Sequence, residues 1–234
     1  MAMDEEDRQF YRWYGPWTPL TPPQVADLLA GVRARWWVVG GWAIDAFTGR
    51  SREHEDIDIG FFRADLAAIL EHLSHDLCVW SNASGTLRPL KQPDDLLEDC
   101  RQLWVRRDGG SPWLADLAMT PHDGETWISP RDETMRLPIG DAVFTGSDGI
   151  DYLRPEIVLA FKARRVERSD NADFDAVVPL LDDGRRDWLR SAIERVDADH
   201  AWLDRLPDRS RGSASCGRRR SGHRWSGSTS RRRR

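Results

Sequence analysis

Three aspartates and a pair of glycines are the residues whose types and spacing could do chemistry in this chain. Asp56 and Asp58 stand one residue apart in "EDIDIGFF", with Ile57 and Ile59 at the alternate positions. A strand alternates its side chains with period two, so both carboxylates point one way and both isoleucines the other. Like charges on one face repel unless a cation lies between them, and a hard divalent ion such as Mg²⁺ takes oxygen ligands in that manner. A third carboxylate, Asp116, occurs in "PWLADLAM", where Leu114, Asp116 and Ala118 share a face of another expected strand. Upstream, the apolar run Trp36 to Val39 stops at Gly40-Gly41, and a helical pattern runs from Trp42 to Phe47. Such a turn exposes unpaired backbone N–H groups, and glycine lets a phosphate approach them closely. Three carboxylates beside a phosphate-cradling turn are what phosphoryl transfer through two metal ions requires.

Each piece alone has a plainer reading: a Gly-Gly pair as a tight turn, an Asp-x-Asp as a solvated strand face. The combination is what points to chemistry. Arg52 and His54, in "SREHED" before the aspartate strand, stand where a loop could contact phosphate, whereas Glu53 and Glu55 are expected to face solvent. Asp45 is placed to brace the turn. Only two lysines occur, Lys91 and Lys162, among 32 arginines. A lysine kept in such a background suits a site that needs a compact point charge. Of the twelve tryptophans, Trp36, Trp37 and Trp42 flank the turn and are expected mostly in the core.

The elements that must position these residues follow from pattern. "TPPQVADLL" begins a helix with Thr21 as cap, Pro22 at the first position and Gln24 completing a capping box. The strand at Trp36 to Val39, the short helix closed by Gly49 and the strand from Asp56 to Phe62 come next, then a helical stripe at Leu66, Ile69, Leu70 and Leu73. From Leu77 to Trp127 short strands alternate with polar turns. The stretch "PIGDAVFTGSDGIDYL" reads as a loop, and amphipathic helices follow from Pro155. The fold class expected is α+β, a mixed sheet with helices on one face followed by a small C-terminal helical bundle. The expected domains are 1–150 for the sheet, 151–208 for the helices and 209–234 as a disordered basic tail.

That tail holds ten arginines and no acid, so the other 208 residues carry 24 basic against 39 acidic side chains. An acidic body attracts cationic ligands and repels nucleic-acid phosphates. No apolar run approaches the roughly 18 residues of a membrane span, and the acidic start "MAMDEEDRQF" is unlike a signal peptide, so a cytoplasmic protein is expected. Cys78, Cys100 and Cys216 sit in no metal-like spacing and are expected as reduced thiols.

The run "VGGWAIDAFTGRSREHEDIDI" resembles the signature of the nucleotidyltransferase superfamily, a Gly-Gly or Gly-Ser turn followed by Asp-x-Asp. The "GGWAIDA" string and the 14 residues between Gly41 and Asp56 look most like its aminoglycoside 2″-adenylyltransferase-like branch. "RPEIVLAFKARR", "DNADF" and "WL" resemble the helical C-terminal part of related enzymes, so the likeness spans roughly residues 20 to 206. It implies a polymerase-beta-like sheet, two Mg²⁺ ions, and transfer of a nucleoside monophosphate, AMP from ATP, to a hydroxyl with release of pyrophosphate. By position, Gly40 and Gly41 would hold the triphosphate with Lys162, and Asp56 and Asp58 would bind the metals. Asp116 would be the third carboxylate and the general base. The implied acceptor is a small cation, an aminoglycoside-type antibiotic, which agrees with the acidic body. A lincosamide, an unknown metabolite, a protein or RNA acceptor, a non-catalytic nucleotide binder and a homodimer all stay open.

Overall fold

The computed structural model describes residues 5–167 and 169–207. The expected tail at 209–234 lies outside the described residues. Along the chain run α1 (Glu5–Tyr14), α2 (Pro22–Leu28), β1 (Trp36–Val38), α3 (Gly40–Thr48), β2 (Asp58–Phe62) and α4 (Leu66–Leu73). The strands β3 (Cys78–Ala83), β4 (Thr86–Pro89), β5 (Gln102–Arg106) and β6 (Trp113–Thr120) follow. Then come β7 (His122–Asp123), β8 (Thr126–Ser129), β9 (Asp132–Pro138), α5 (Ile139–Ala142), β10 (Val143–Thr145) and β11 (Asp151–Leu153). The described chain closes with α6 (Pro155–Lys162), α7 (Asp170–Val177), α8 (Asp183–Val196) and α9 (Ala201–Arg205).

An eight-stranded mixed sheet in the order β10-β11-β1-β2-β6-β5-β3-β4 forms the body, beside a three-stranded sheet β7-β8-β9. The fold is thus α+β, as the sequence pattern implies. Register divides the large sheet's two faces cleanly. Ile59, Leu117, Leu103 and Ser81 lie side by side across β2, β6, β5 and β3. Ile59, Leu117 and Leu103 are buried in one core cluster with Ile69, Leu70 and Leu73 of α4. One residue earlier on β2 and β6, and one later on β5, Asp58, Asp116 and Trp104 line up in the same way, with Trp80 beyond them on β3. Period two therefore assigns the aliphatics to the core face and the carboxylates to the other.

Local signals explain the element ends. The Gln24 carboxamide accepts from the Thr21 backbone N–H at 2.8 Å, the reciprocal half of a capping box. Gly49 closes α3 in the left-handed region at φ 68°. The stretch 138–153, expected as a loop, instead holds α5 and a hairpin whose partners Val143 and Leu153 are buried. Its second strand, β11, pairs in parallel with β1 through Tyr152 and Val38. The strands are three residues each, too short for a periodic pattern, and Gly146 and Gly149 between them read as loop. The helices that begin at Pro155 pack through α6 and α7 against α3. No helix among the described residues is long and apolar enough to cross a membrane.

Candidate active site

Parallel pairing of β2 with β6 sets Asp58 directly beside Asp116. The Asp116 N–H donates to the Ile57 carbonyl at 3.0 Å, so the pairing continues back toward Asp56. Asp116 is 7% exposed. Its Oδ2 accepts from Gln102 Nε2 at 2.8 Å and from Trp104 Nε1 at 3.0 Å, while Oδ1 is buried with no partner. Burial, and then the charge of Asp56, pushes the Asp58 carboxyl up to about 7, against the pull of Arg131 and Lys162. Asp116 is raised well above the ordinary range by burial and by Asp58, and the Trp104 N–H opposes the rise. Asp56, the most open of the three, is raised by its low-dielectric surroundings against His54 and Lys162.

Three crowded carboxylates, with Asp56 opposing the ionisation of Asp58 and both opposing that of Asp116, are the donor set of a hard divalent cation. Asp56 and Asp58 fit such an ion, and the unpartnered Oδ1 of Asp116 is left beside them as a buried free acceptor, which costs about 1–3 kcal/mol when left unmade. Among the described residues no three carboxylate, histidine or cysteine side chains are closed around a common point. Oδ2 of Asp116 is instead drawn toward β5 by its two donors.

The glycines are tied to these acids by close approach. Gly40 has φ +66°, and a Cβ there would lie 2.9 Å from Asp58 Oδ2. A Cβ on Gly41 would lie 2.8 Å from the His54 ring and 2.9 Å from the Arg52 guanidinium. Beneath the turn, Asp45 does the bracing expected of it. Its Oδ2 accepts from the Arg52 backbone N–H at 3.1 Å and sits 2.9 Å from His54 Nε2. Arg52 grips Asp173 of α7 with two contacts of 2.6 and 3.2 Å. His54 stacks on Trp42 at 4.1 Å, and the Trp42 indole donates to the Asp56 carbonyl at 3.1 Å.

Across from the acids lies a cleft of about 430 Å³ lined by Gly40, Gly41, Asp56, Asp58, Arg131 and Lys162, among others. Lys162 is ion-paired with Asp170 and, at 3.2 Å, with Asp173. Burial works to lower its pKa, but those two carboxylates outweigh it and hold the ammonium charged. Arg131 comes from the turn between β8 and β9. The turn is pinned by Arg101 donating to the Pro130 carbonyl and Arg164 donating to the Arg131 carbonyl, each at 2.6 Å. The Arg131 guanidinium lies 5.2 Å over the Phe161 ring and donates to the Phe161 carbonyl at 3.2 Å. Partial burial and then Arg164 lower its pKa, and Asp58 opposes that shift.

The structure therefore brings Gly40, Gly41, Asp56, Asp58 and Lys162 to one cleft, with Asp116 on the next strand. Arg52 and His54 lie beside Gly41, engaged with Asp45 and Asp173. Arg131, Asp170, Asp173, Gln102 and Trp104 were not expected. Gln102 and Trp104 share a strand face with spacing two in "QLWVR", and Asp170 and Asp173 share a helix face with spacing three in "DNADF", but nothing local marks Arg131. A second hollow, of about 390 Å³, opens beside Trp42, Asp45, Arg50 and Tyr152 and holds none of the three carboxylates.

Residues 23–132 match the model of the family described as aminoglycoside-2″-adenylyltransferase. A lincosamide resistance protein of Staphylococcus haemolyticus is 36% identical over 50 residues, 21% of this chain. That stretch spans 31% of the relative's own length. Among solved structures, the lincomycin-bound lincosamide antibiotic adenylyltransferase LnuA superposes with a TM-score of 0.47 at 18% identity, over 68% of this chain and 97% of that one. ANT(2″)-Ia in complex with adenylyl-2″-tobramycin superposes with a TM-score of 0.49 at 16% identity, over 74% and 97% respectively. The matched segment 23–132 contains both glycines, all three carboxylates and Arg131. By this segment, just under half of the chain, the protein is similar to the aminoglycoside-2″-adenylyltransferase family.

Proposed function

We propose that the chain is a Mg²⁺-dependent nucleotidyltransferase that moves AMP from ATP to a hydroxyl of a small cationic antibiotic, with an aminoglycoside as the acceptor. The observation that carries the reading is the row of Asp58 and Asp116 on adjacent strands, with Asp56 alongside, facing a glycine turn that a Cβ would fill. Asp56 and Asp58 would hold the metal, two ions by the chemistry of the superfamily, with Asp116 as the third carboxylate beside them. Mg²⁺ held there would neutralise the triphosphate and lower the barrier to attack at its α-phosphorus.

The chain's own residues supply the rest. Backbone N–H groups at Gly40 and Gly41 take phosphate oxygens at the start of α3. Arg131 and Lys162 take the β- and γ-phosphates from the opposite wall, with Arg52 and His54 shaping the turn from beneath. Asp116 Oδ1 accepts the proton of the acceptor hydroxyl. The deprotonated acceptor oxygen then bonds to the α-phosphorus as the bond from that phosphorus to the bridging oxygen breaks, and pyrophosphate leaves. In this reading residues 1–150 carry the acids and 151–208 bring Lys162 to them.

A lincosamide acceptor is the second reading, favoured by the 36% identity to a protein named for lincosamide resistance. One experiment separates the two: mass spectrometry of an aminoglycoside and lincosamide panel incubated with the full chain, Mg²⁺ and each nucleoside triphosphate. An aminoglycoside heavier by one AMP is the expected outcome. A modified lincosamide replaces the acceptor, and no modified product in the presence of every triphosphate overturns the small-molecule reading.

A further inference from the structure

In the aromatic layer over β5 and β6 some indole N–H groups are bonded and others are not, and one of the bonded ones reaches a carboxylate of the site. Trp17 Nε1 and Trp80 Nε1 are buried without a hydrogen-bond partner. Trp104, lying between Trp80 and Asp116 in the same row, instead donates its N–H to Asp116 Oδ2 at 3.0 Å. Gln102, two residues away on the same strand face, donates to the same oxygen at 2.8 Å. Two donors on one oxygen fix the carboxylate's rotation about its Cβ–Cγ bond, leaving Oδ1 as the free oxygen.

The indole that does this cannot readily turn away. Its ring centroid lies 5.0 Å from Trp17, 5.3 Å from Trp113, 5.7 Å from Tyr14 and 6.0 Å from Phe10, mostly in edge-on or tilted contact. Phe10 and Tyr14 come from α1, whose end is tied down where the Tyr14 hydroxyl donates to the Gly85 carbonyl at 3.0 Å. The Trp113 indole donates to the Tyr14 carbonyl at 2.6 Å. A segment outside the matched family region thus packs on a side chain that holds an acid at the site.

We propose that Trp104 and Gln102 are positioning residues that clamp Asp116 Oδ2 and so present Oδ1 to the acceptor hydroxyl, with α1 and Trp17 locking the Trp104 ring. The inference rests on the reading of Asp116 as the base. A carboxylate free to rotate would meet the acceptor proton in fewer encounters, and misplacement by about 1 Å costs on the order of 10²-fold in rate. The clamp touches neither the cleft cations nor the glycine turn, so affinity for the triphosphate stays as it is.

The test compares Trp104→Phe, Gln102→Leu and the double variant with the full wild-type chain, using ATP and tobramycin, or lincomycin if that is the acceptor. Trp104→Phe keeps a packing ring and loses the N–H, while exposed Gln102 tolerates replacement even if the tryptophan variant fails to fold. Expected are kcat losses of about 10- to 100-fold for Trp104→Phe and several-fold for Gln102→Leu, with KM for ATP within twofold. The double variant falls below both. Trp80→Phe removes an N–H that bonds nothing and is the control, expected to turn over like wild type. Wild-type kcat in both Trp104→Phe and Gln102→Leu, with Asp116→Asn inactive, overturns the clamp alone. An active Asp116→Asn overturns the clamp together with the reading it rests on.

Discussion

The two walls of the cleft are built by different means. The acidic wall is made by backbone register: Asp116 stands beside Asp58 because β6 pairs in parallel with β2, and Asp56 stands two residues before Asp58 at the mouth of that strand. The cationic wall is made by tertiary reach. Arg131 stands on a turn tied to Arg101 and Arg164, and Lys162, at the end of α6, is held by Asp170 and Asp173 of α7. Arg52 reaches Asp173 across 121 residues of sequence. Charges that repel are therefore held by the most local and rigid device in the fold, and charges that answer them by side chains that cross between elements. The acidic wall cannot relax on its own, which is the condition under which a bound cation or phosphate adds most.

The largest effect tests the acidic wall. Asp58→Asn is expected to lower turnover at least about 100-fold, because it removes the central carboxylate of the row. It should also stabilise the protein in the absence of divalent ions. The Asp58 carboxyl is raised from its ordinary 3.8 to about 7 in the fold, so the folded state holds its proton more tightly than the unfolded chain. Stability from that proton is full below the ordinary value and is lost as pH rises through about 7. In EDTA at pH 8, Asp58→Asn should therefore melt higher than wild type, by roughly 1 to 4 kcal/mol, with the difference shrinking toward pH 4. Thermal melts at the two pH values check the sign. A variant that melts lower at pH 8 would mean that the wall is not strained.

A smaller effect tests the cationic wall. Arg131→Met keeps much of the stem that packs on Phe161 and removes a charge-assisted contact to phosphate, typically about 1.5–3 kcal/mol. KM for the triphosphate should rise about 10- to 100-fold with the melting temperature little changed. An unaltered KM would confine phosphate binding to the glycine turn and Lys162, and the comparison would lose one of its two sides.

The same contrast explains what could be read before the fold was known. The strand, glycine turn, helix and second strand from Trp36 to Phe62 are each announced by neighbours in sequence, and their expected ends lie within one or two residues of the observed ones. The hairpin of β10 and β11 was not legible, since three-residue strands flanked by glycines carry too little periodicity to outweigh the turn signal. Arg131 was invisible for a different reason. Its role comes from where a turn lands, and among 32 arginines its type says nothing. Lys162 stood out only because lysine is so rare here.

The smallest expected effect marks where the cationic wall ends. Arg52 and His54 precede the aspartate strand and, in sequence, look like phosphate contacts. In the fold the His54 side chain is 7% exposed, held by Asp45 and stacked on Trp42, and its ring fills the space beside Gly41. A histidine so placed supports the turn from beside Gly41. His54→Gln keeps a polar group within reach of Asp45 and loses the stack, so it should cost about 1 kcal/mol of stability and raise KM for the triphosphate by less than about fivefold. The turn carries its own N–H groups, and these remain. A KM shift as large as that of Arg131→Met would instead move His54 onto the phosphate-binding surface, and the boundary between the two walls would then run through the glycine turn itself.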